Sequence, residues 1–184
     1  WLERAKAVRD AGYQVWVVVP EGDKVELLRR EEFKILTSKV TRKGMNPVRE
    51  LSSIWDLFRK IDEVKPDLLI HITIKPNLYG SLIGKFLGTP SIGNITGLGH
   101  IFSDQQLKYR IVKFFIKRLY RFVCSPEKYR LVFQNKDDLA LFIDNKIISP
   151  DKTRLIPGAG VNTEIFKPQP KPKDQPVRIL LASK

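Results

Sequence analysis

Apolar positions along this chain switch repeatedly between a helical and an extended period. Leu2, Ala5 and Val8 recur at helical spacing until Gly12 supplies a stop. Gln14–Pro20 (QVWVVVP) is then a dense β-branched run of the kind that fills a buried strand. Phe33–Ser38 reads as a short strand, and Asn46 with Pro47 makes an N-cap and first helical position. From there Val48, Leu51, Ile54/Trp55, Phe58 and Ile61 space out an amphipathic helix that stops at Lys65-Pro66. A strand at Asp67–Ile72, a helix at Pro76–Leu87, a strand at Ser91–Ile95 and a long helix at roughly Gln105–Val123 follow. Arg130–Phe133 (strand), Lys136–Asn145 (helix) and Thr153–Ile156 (strand) complete the pattern before a Gly-rich turn. Strand and helix alternate with short joins, which predicts an α/β fold: an open parallel sheet with helices on both faces.

The two ends refine this picture. A helix that feeds a buried strand normally follows an earlier strand, so the pattern expects one ahead of Trp1. Residues 167–176 (KPQPKPKDQP) hold four prolines in ten and read as a semi-rigid linker. Val177–Ala182 (VRILLA) then reads as the opening strand of a second domain. The division is therefore 1–166 for the first domain, 167–176 for the linker and 177–184 for the start of the second.

Composition narrows the chemistry. No apolar run approaches the roughly 18 residues that cross a bilayer. The lone Cys124 forms no internal disulfide and no thiolate metal cluster, which suits a reducing cytoplasm. The chain carries 33 Lys+Arg against 20 Asp+Glu, a net charge of +13, which points to phosphates, anionic lipid or nucleic acid as partners. Nearly half of the excess lies in residues 104–130, with eight basic and two acidic groups.

In open parallel sheets ligands bind at the carboxyl ends of the strands, so the turns that follow strands are the candidate sites. His71-Ile72-Thr73-Ile74-Lys75-Pro76 joins a strand end to a helix start. Free amides and Lys75 there would suit a diphosphate; alternatively His71 is a capped structural histidine and Lys75 a solvated charge. Asn94-Ile95-Thr96-Gly97-Leu98-Gly99-His100 offers a Gly-x-Gly through which backbone could approach a ligand. It is a poor dinucleotide fingerprint, since Phe102 stands where the third glycine belongs, and a plain tight turn is the other reading. Pro157-Gly158-Ala159-Gly160-Val161-Asn162 follows a strand just before the linker, at an interdomain cleft or as a simple hinge.

In the long helix, Arg110, Lys113, Lys117 and Arg121 are spaced 3, 4 and 4, within about 80° of one another on the helical wheel. Ile111, Val112, Phe115, Leu119, Phe122 and Val123 are expected to pack on the sheet, with Phe114 and Tyr120 bordering the basic stripe. Basic groups flanked by aromatics suit an anionic leaflet, against the alternative of a solvated face. Nucleic acid is disfavoured, because no zinc finger, RNP-like motif or recognition helix is present.

Several of these segments together carry a family resemblance. Thr41-Arg42-Lys43-Gly44-Met45-Asn46-Pro47, His71–Pro76 with Tyr79-Gly80, Ile95–Gly99, Phe133-Gln134-Asn135 with Asp138, and Pro157–Asn162 with Phe166 and Pro168 occur in that order. So arranged, the chain resembles the amino-terminal half of a bacterial family 4 glycosyltransferase. The subgroup it is most similar to builds capsular, exo- or N-linked polysaccharide on a polyprenyl diphosphate carrier. The resemblance implies a GT-B fold of two Rossmann-like domains, with the acceptor on the amino-terminal side. It implies a retaining hexosyltransferase that takes a nucleotide sugar, UDP-linked, and needs no metal or other cofactor. Carried over, His71 would lie at the reacting centre as the catalytic candidate. Lys75, Thr73 and Arg42 would hold acceptor phosphate. Gly97, Gly99, Gly158 and Gly160 would line the cleft. Arg110, Lys113, Lys117 and Arg121 would seat the domain on the inner face of the plasma membrane, making the enzyme cytoplasmic and peripheral. The resemblance also expects a central first strand with a Gly-rich loop ahead of Trp1, and a donor-binding domain with paired glutamates after Lys184. Without these the chain would be inactive alone. His100 stands where the family would have an aromatic residue. Two other readings stay open: a GT-B nucleotide-sugar 2-epimerase, and a non-enzymatic basic module that binds lipid or nucleic acid.

Overall fold

A computed structural model describes residues 1–22, 24–40, 46–98, 107–158, 160 and 162–168. The element order is α1 (Leu2–Asp10), β1 (Trp16–Pro20), α2 (Lys24–Arg30), β2 (Lys34–Ser38), α3 (Pro47–Val64), β3 (Leu69–Ile72) and α4 (Ile74–Leu87). Then come β4 (Ser91–Ile95), α5 (Leu107–Val123), β5 (Tyr129–Phe133), α6 (Lys136–Asp144), a 3-10 turn (Pro150–Lys152) and β6 (Thr153–Leu155). Every strand pairing is parallel, as the alternation predicts. Sequence reading missed α2, whose seven residues offer Val25, Leu27 and Leu28 as apolar positions; Leu28 is buried and Leu27 exposed.

The described strands form two sheets rather than one. β1 pairs with β2, and β3-β4-β5-β6 run side by side in that order. No described strand pairs with both β1 and β3, which is where the two sheets part.

Local chemistry explains several boundaries. Asn46 caps α3, its Oδ1 accepting from the amides of Val48 at 3.1 Å and Arg49 at 3.3 Å, with Pro47 in the first turn. Asn135 caps α6 in the same way, accepting from Asp138 N at 2.7 Å, so the Asn135/Asp138 pair has a structural role. Helix α4 begins at Ile74, two residues ahead of the expected Pro76, because the reversal takes place at Thr73.

The core has two parts joined by α4. The larger gathers Leu78, Ile95, Tyr120, Val123, Leu131, Phe133 and Phe142, and the smaller gathers Leu57, Ile61, Leu69 and Ile83. Helix α4 sits close to the strands because its facing positions are small. A Cβ at Gly80 would overlap the His71 ring, and one at Gly84 would meet Ser91 Oγ and the Leu69 side chain. On α3 the buried face is Ser53, Leu57 and Ile61 rather than the whole expected stripe; Val48, Leu51 and Trp55 are exposed. The docking face is centred on Leu57, half a turn away from Trp55, because α4 meets α3 on that side.

Gly93 tests this packing. A Cβ there would overlap Asn77 Oδ1, Leu131 Cδ2 and the Tyr129 hydroxyl, all buried. Gly93→Ala is expected to lower unfolding free energy by about 1–3 kcal/mol in urea denaturation. Shortening a neighbour with Leu131→Val should recover part of that loss.

Candidate functional site

A parallel sheet puts the carboxyl ends of its strands on one edge, and three of them build the candidate site. The turn after β3 contains Thr73, at φ 75° and ψ 169°, a conformation strained for a β-branched residue. Its amide donates to Asn94 O at 3.3 Å, tying the turn to the end of β4. Beneath it the fully buried Asn77 donates through Nδ2 to Thr73 O at 2.6 Å and to Asn94 O at 2.9 Å. Asn94 donates through Nδ2 to His71 O at 3.3 Å. Its Oδ1 accepts from Arg4 Nη1 at 3.3 Å, and Arg4 Nη2 also donates to Gly158 O at 3.1 Å, past the end of β6. One arginine on α1 therefore spans two strand ends.

Asn77 and Arg4 escaped the sequence reading, and Asn94 entered it only as the first residue of the Gly-x-Gly turn. The signal available was two asparagines at otherwise apolar element positions; which backbone groups they satisfy follows only from the tertiary fold.

Lys75 lies in the first turn of α4, but it is paired: its Nζ is 2.7 Å from Glu50 Oε1, a residue of α3. Tyr79 donates to the other oxygen, Glu50 Oε2, at 2.5 Å. Burial pushes the Glu50 carboxyl up, yet the hydrogen bonds from Lys75 and Tyr79 and the Lys75 charge hold it below its ordinary value. Burial, together with Glu50, raises the Tyr79 phenol.

His71, expected at the reacting centre, is buried. On β3 Leu69 and His71 are buried toward α4 while Ile70 is exposed. The ring lies against Gly80, with Nε2 buried and without a partner among the described residues. Burial lowers its pKa to about 4, so the ring is neutral in the folded protein at pH 7. Gly97 (φ 143°), Gly158 (φ 68°) and Gly160 (φ 75°) hold backbone conformations that favour glycine. Gly97 and Gly160 face open space. Arg42, Gly99 and His100 lie outside the described residues, as do the Arg110 side chain and residues 169–184.

The basic helix is also rearranged. Lys117 Nζ donates to Asn145 Oδ1 and Arg121 Nη2 to Asn145 O, both at 2.6 Å, so these two cations serve the carboxyl end of α6. Burial, then the charges of Lys113 and Arg121, lowers the Lys117 pKa. The core-facing positions are Ile116, Leu119, Tyr120 and Val123. Tyr120, expected at the rim, is fully buried, whereas Phe115 and Phe122, expected on the sheet, are 63% and 48% exposed; Phe114 is 60% exposed. Among the described residues no group of three or more His, Cys, Asp or Glu is placed to hold a metal. No described helix is long and apolar enough to cross a membrane.

Comparison with known proteins gives this geometry a family. The family model described as glycosyl transferase 4-like matches residues 1–135. The chain belongs to that family. Over 164 residues it is 27% identical to the N,N'-diacetylbacillosaminyl-diphospho-undecaprenol alpha-1,3-N-acetylgalactosaminyltransferase of Campylobacter jejuni subsp. jejuni, covering 89% of this chain and 43% of that enzyme. This glycosyl transferase 4-like chain thus spans less than half the length of that relative. Its α/β fold is shared with a glycosyltransferase of Rickettsia africae, at TM-score 0.63 and 18% identity, over 90% of this chain and 40% of the other. It is shared also with MurG of Acinetobacter baumannii, at TM-score 0.55 and 15% identity, over 88% and 41%.

The burial of His71 has a measurable consequence. A histidine takes up its proton near pH 6.5 when unfolded but only near pH 4 here, so its contribution to stability is complete above pH 6.5. That contribution falls by up to about 1.4 kcal/mol per unit as pH drops toward 4. In urea titrations at pH 7.5 and 5, wild type is expected to lose more stability than His71→Gln. Equal losses would show that the ring is accessible to protons.

Proposed function

We propose that this chain is the amino-terminal, acceptor-side half of a retaining GT-B glycosyltransferase. It transfers a sugar from a nucleotide sugar, UDP-linked, to a saccharide carried on a polyprenyl diphosphate, in surface polysaccharide synthesis. The observation that carries the reading is the turn after β3. It sets the Thr73 hydroxyl and the Lys75 ammonium at the amino end of α4, on the edge where parallel sheets bind ligands. The substrate in the name of the Campylobacter jejuni relative, a diphospho-undecaprenol saccharide, supports the acceptor class. In this reading Glu50 and Tyr79 hold Lys75 in place until acceptor phosphate shares its charge. Gly97 and Gly160 leave the backbone open to the substrates. His71 acts by packing α4 against β3 and does not touch substrate.

The enzyme works from the cytoplasmic side as a peripheral protein, and the seat is a face of α5. Arg121, Phe114, Arg118, Phe122 and Phe115 fall within about 120° of one another on that helix, and all five are exposed. Exposed phenylalanines interleaved with basic groups suit the headgroup layer of an anionic leaflet better than the basic stripe alone, since Lys117 and Arg121 of that stripe are both engaged with Asn145.

Transfer assays on the full-length protein, with labelled nucleotide sugars and a polyprenyl diphosphate-linked acceptor in anionic liposomes, test the activity. Label entering the lipid is expected; label isomerised without reaching lipid would make the protein an epimerase. Lys75→Ala should raise the acceptor KM roughly 10-fold or more, the worth of a charge-assisted phosphate contact, and leave the donor KM unchanged. For the membrane face, Phe114→Ser with Phe115→Ser should cut liposome co-sedimentation at least about 10-fold. Undiminished binding would remove α5 as the seat.

A further inference from the structure

The cations of α1 are treated unequally. Lys6 pairs with Glu31 at 2.8 Å, and Arg9 pairs with Asp10 at 2.9 Å. Arg4, one turn earlier and half-buried, reaches only the neutral oxygens Asn94 Oδ1 and Gly158 O. Among the described residues no carboxylate lies within 4.0 Å of it. Removing a guanidinium from water without a counter-charge is costly. A link between two neutral oxygens does not require a cation, since an uncharged amide donates as well. The unused property of Arg4 is its full positive charge, displayed by a fork with five N–H donors of which two are engaged.

The place of this charge suggests what it serves. Its two partners lie 90 and 154 residues away in sequence, at the ends of β4 and β6, so the guanidinium sits on the carboxyl edge of the sheet. Asn94 in turn holds the β3–α4 turn, accepting from Thr73 N and from Asn77 Nδ2, and Lys75 lies two residues beyond Thr73. The planar fork matches phosphate oxygens, and the two bonds already made preorganise it for that task.

We propose that Arg4 is an anion-binding residue of the cleft, held by Asn94 and Gly158, and that its ligand is a diphosphate group. The choice of a diphosphate rests on the transferase reading, in which both donor and acceptor carry one.

Binding of inorganic diphosphate to the full-length protein, measured by calorimetry, tests this with two variants. Arg4→Gln removes the charge and Arg4→Lys keeps it, while both give up the forked pair of bonds to Asn94 and Gly158, so the difference between them reads the charge. Arg4→Gln is expected to weaken diphosphate binding about 10-fold or more, and Arg4→Lys to retain most of it. Unchanged binding by Arg4→Gln would overturn the proposal. So would equal losses in both variants with matching drops in unfolding temperature, which would make Arg4 a structural link only. Competition by UDP or by farnesyl diphosphate assigns the Arg4-dependent site to donor or acceptor, and either result supports it. If wild type transfers no sugar yet Arg4-dependent diphosphate binding persists, the transferase reading fails and the anion site stands.

Discussion

The close approach of α4 to β3 and β4 is the constraint on which the rest of this domain depends. Gly80 admits the His71 ring, Gly84 admits Ser91 and Leu69, and Asn77 is sealed beneath the sheet edge with Nδ2 bonded to Thr73 O and Asn94 O. With the helix seated so low, the turn at Thr73 is forced into a left-handed conformation and Lys75 is brought to Glu50 of α3. Larger residues at Gly80 or Gly84 would lift α4, and the two halves of the core that meet on it would separate.

Electrostatics then sorts the excess of basic residues by what each side chain finds nearby. Lys75 is held by Glu50, Lys6 by Glu31, and Lys60 by Asp56. Lys117 and Arg121 meet the polar groups of Asn145 at the end of α6. Lys85 lies 3.5 Å from the Phe122 ring centroid and donates to Phe122 O. A net charge of +13 is therefore not one uniform field. Much of it is engaged locally, and Arg4 stands out as a half-buried charge that, among the described residues, faces only neutral oxygens.

Burial divides the candidate residues in the same way. His71 and Thr73 are two residues apart and would share a face if the strand continued, but the positive φ at Thr73 ends the pleat, so His71 packs under α4 while Thr73 begins the turn. On α5 the interval from Tyr120 to Phe122 separates a side chain in the core from one in solvent. Both distinctions are matters of one or two residues of phase, which a period by itself does not set.

Sequence alone determined the α/β alternation, most element positions to within two residues, and the cap at Asn46. These follow from local rules, since period, capping and turn preference are decided within a few residues. Only the tertiary structure decided that the His71 ring is buried against Gly80, that Lys75 is paired with Glu50, that Arg4 reaches Asn94 and Gly158, and that Phe114, Phe115 and Phe122 of α5 are exposed. Each of these depends on which groups distant in the chain are brought within hydrogen-bond or van der Waals reach. Glu50 and Lys75 are 25 residues apart, and Arg4 and Gly158 are 154 apart, separations over which a linear pattern carries no geometry.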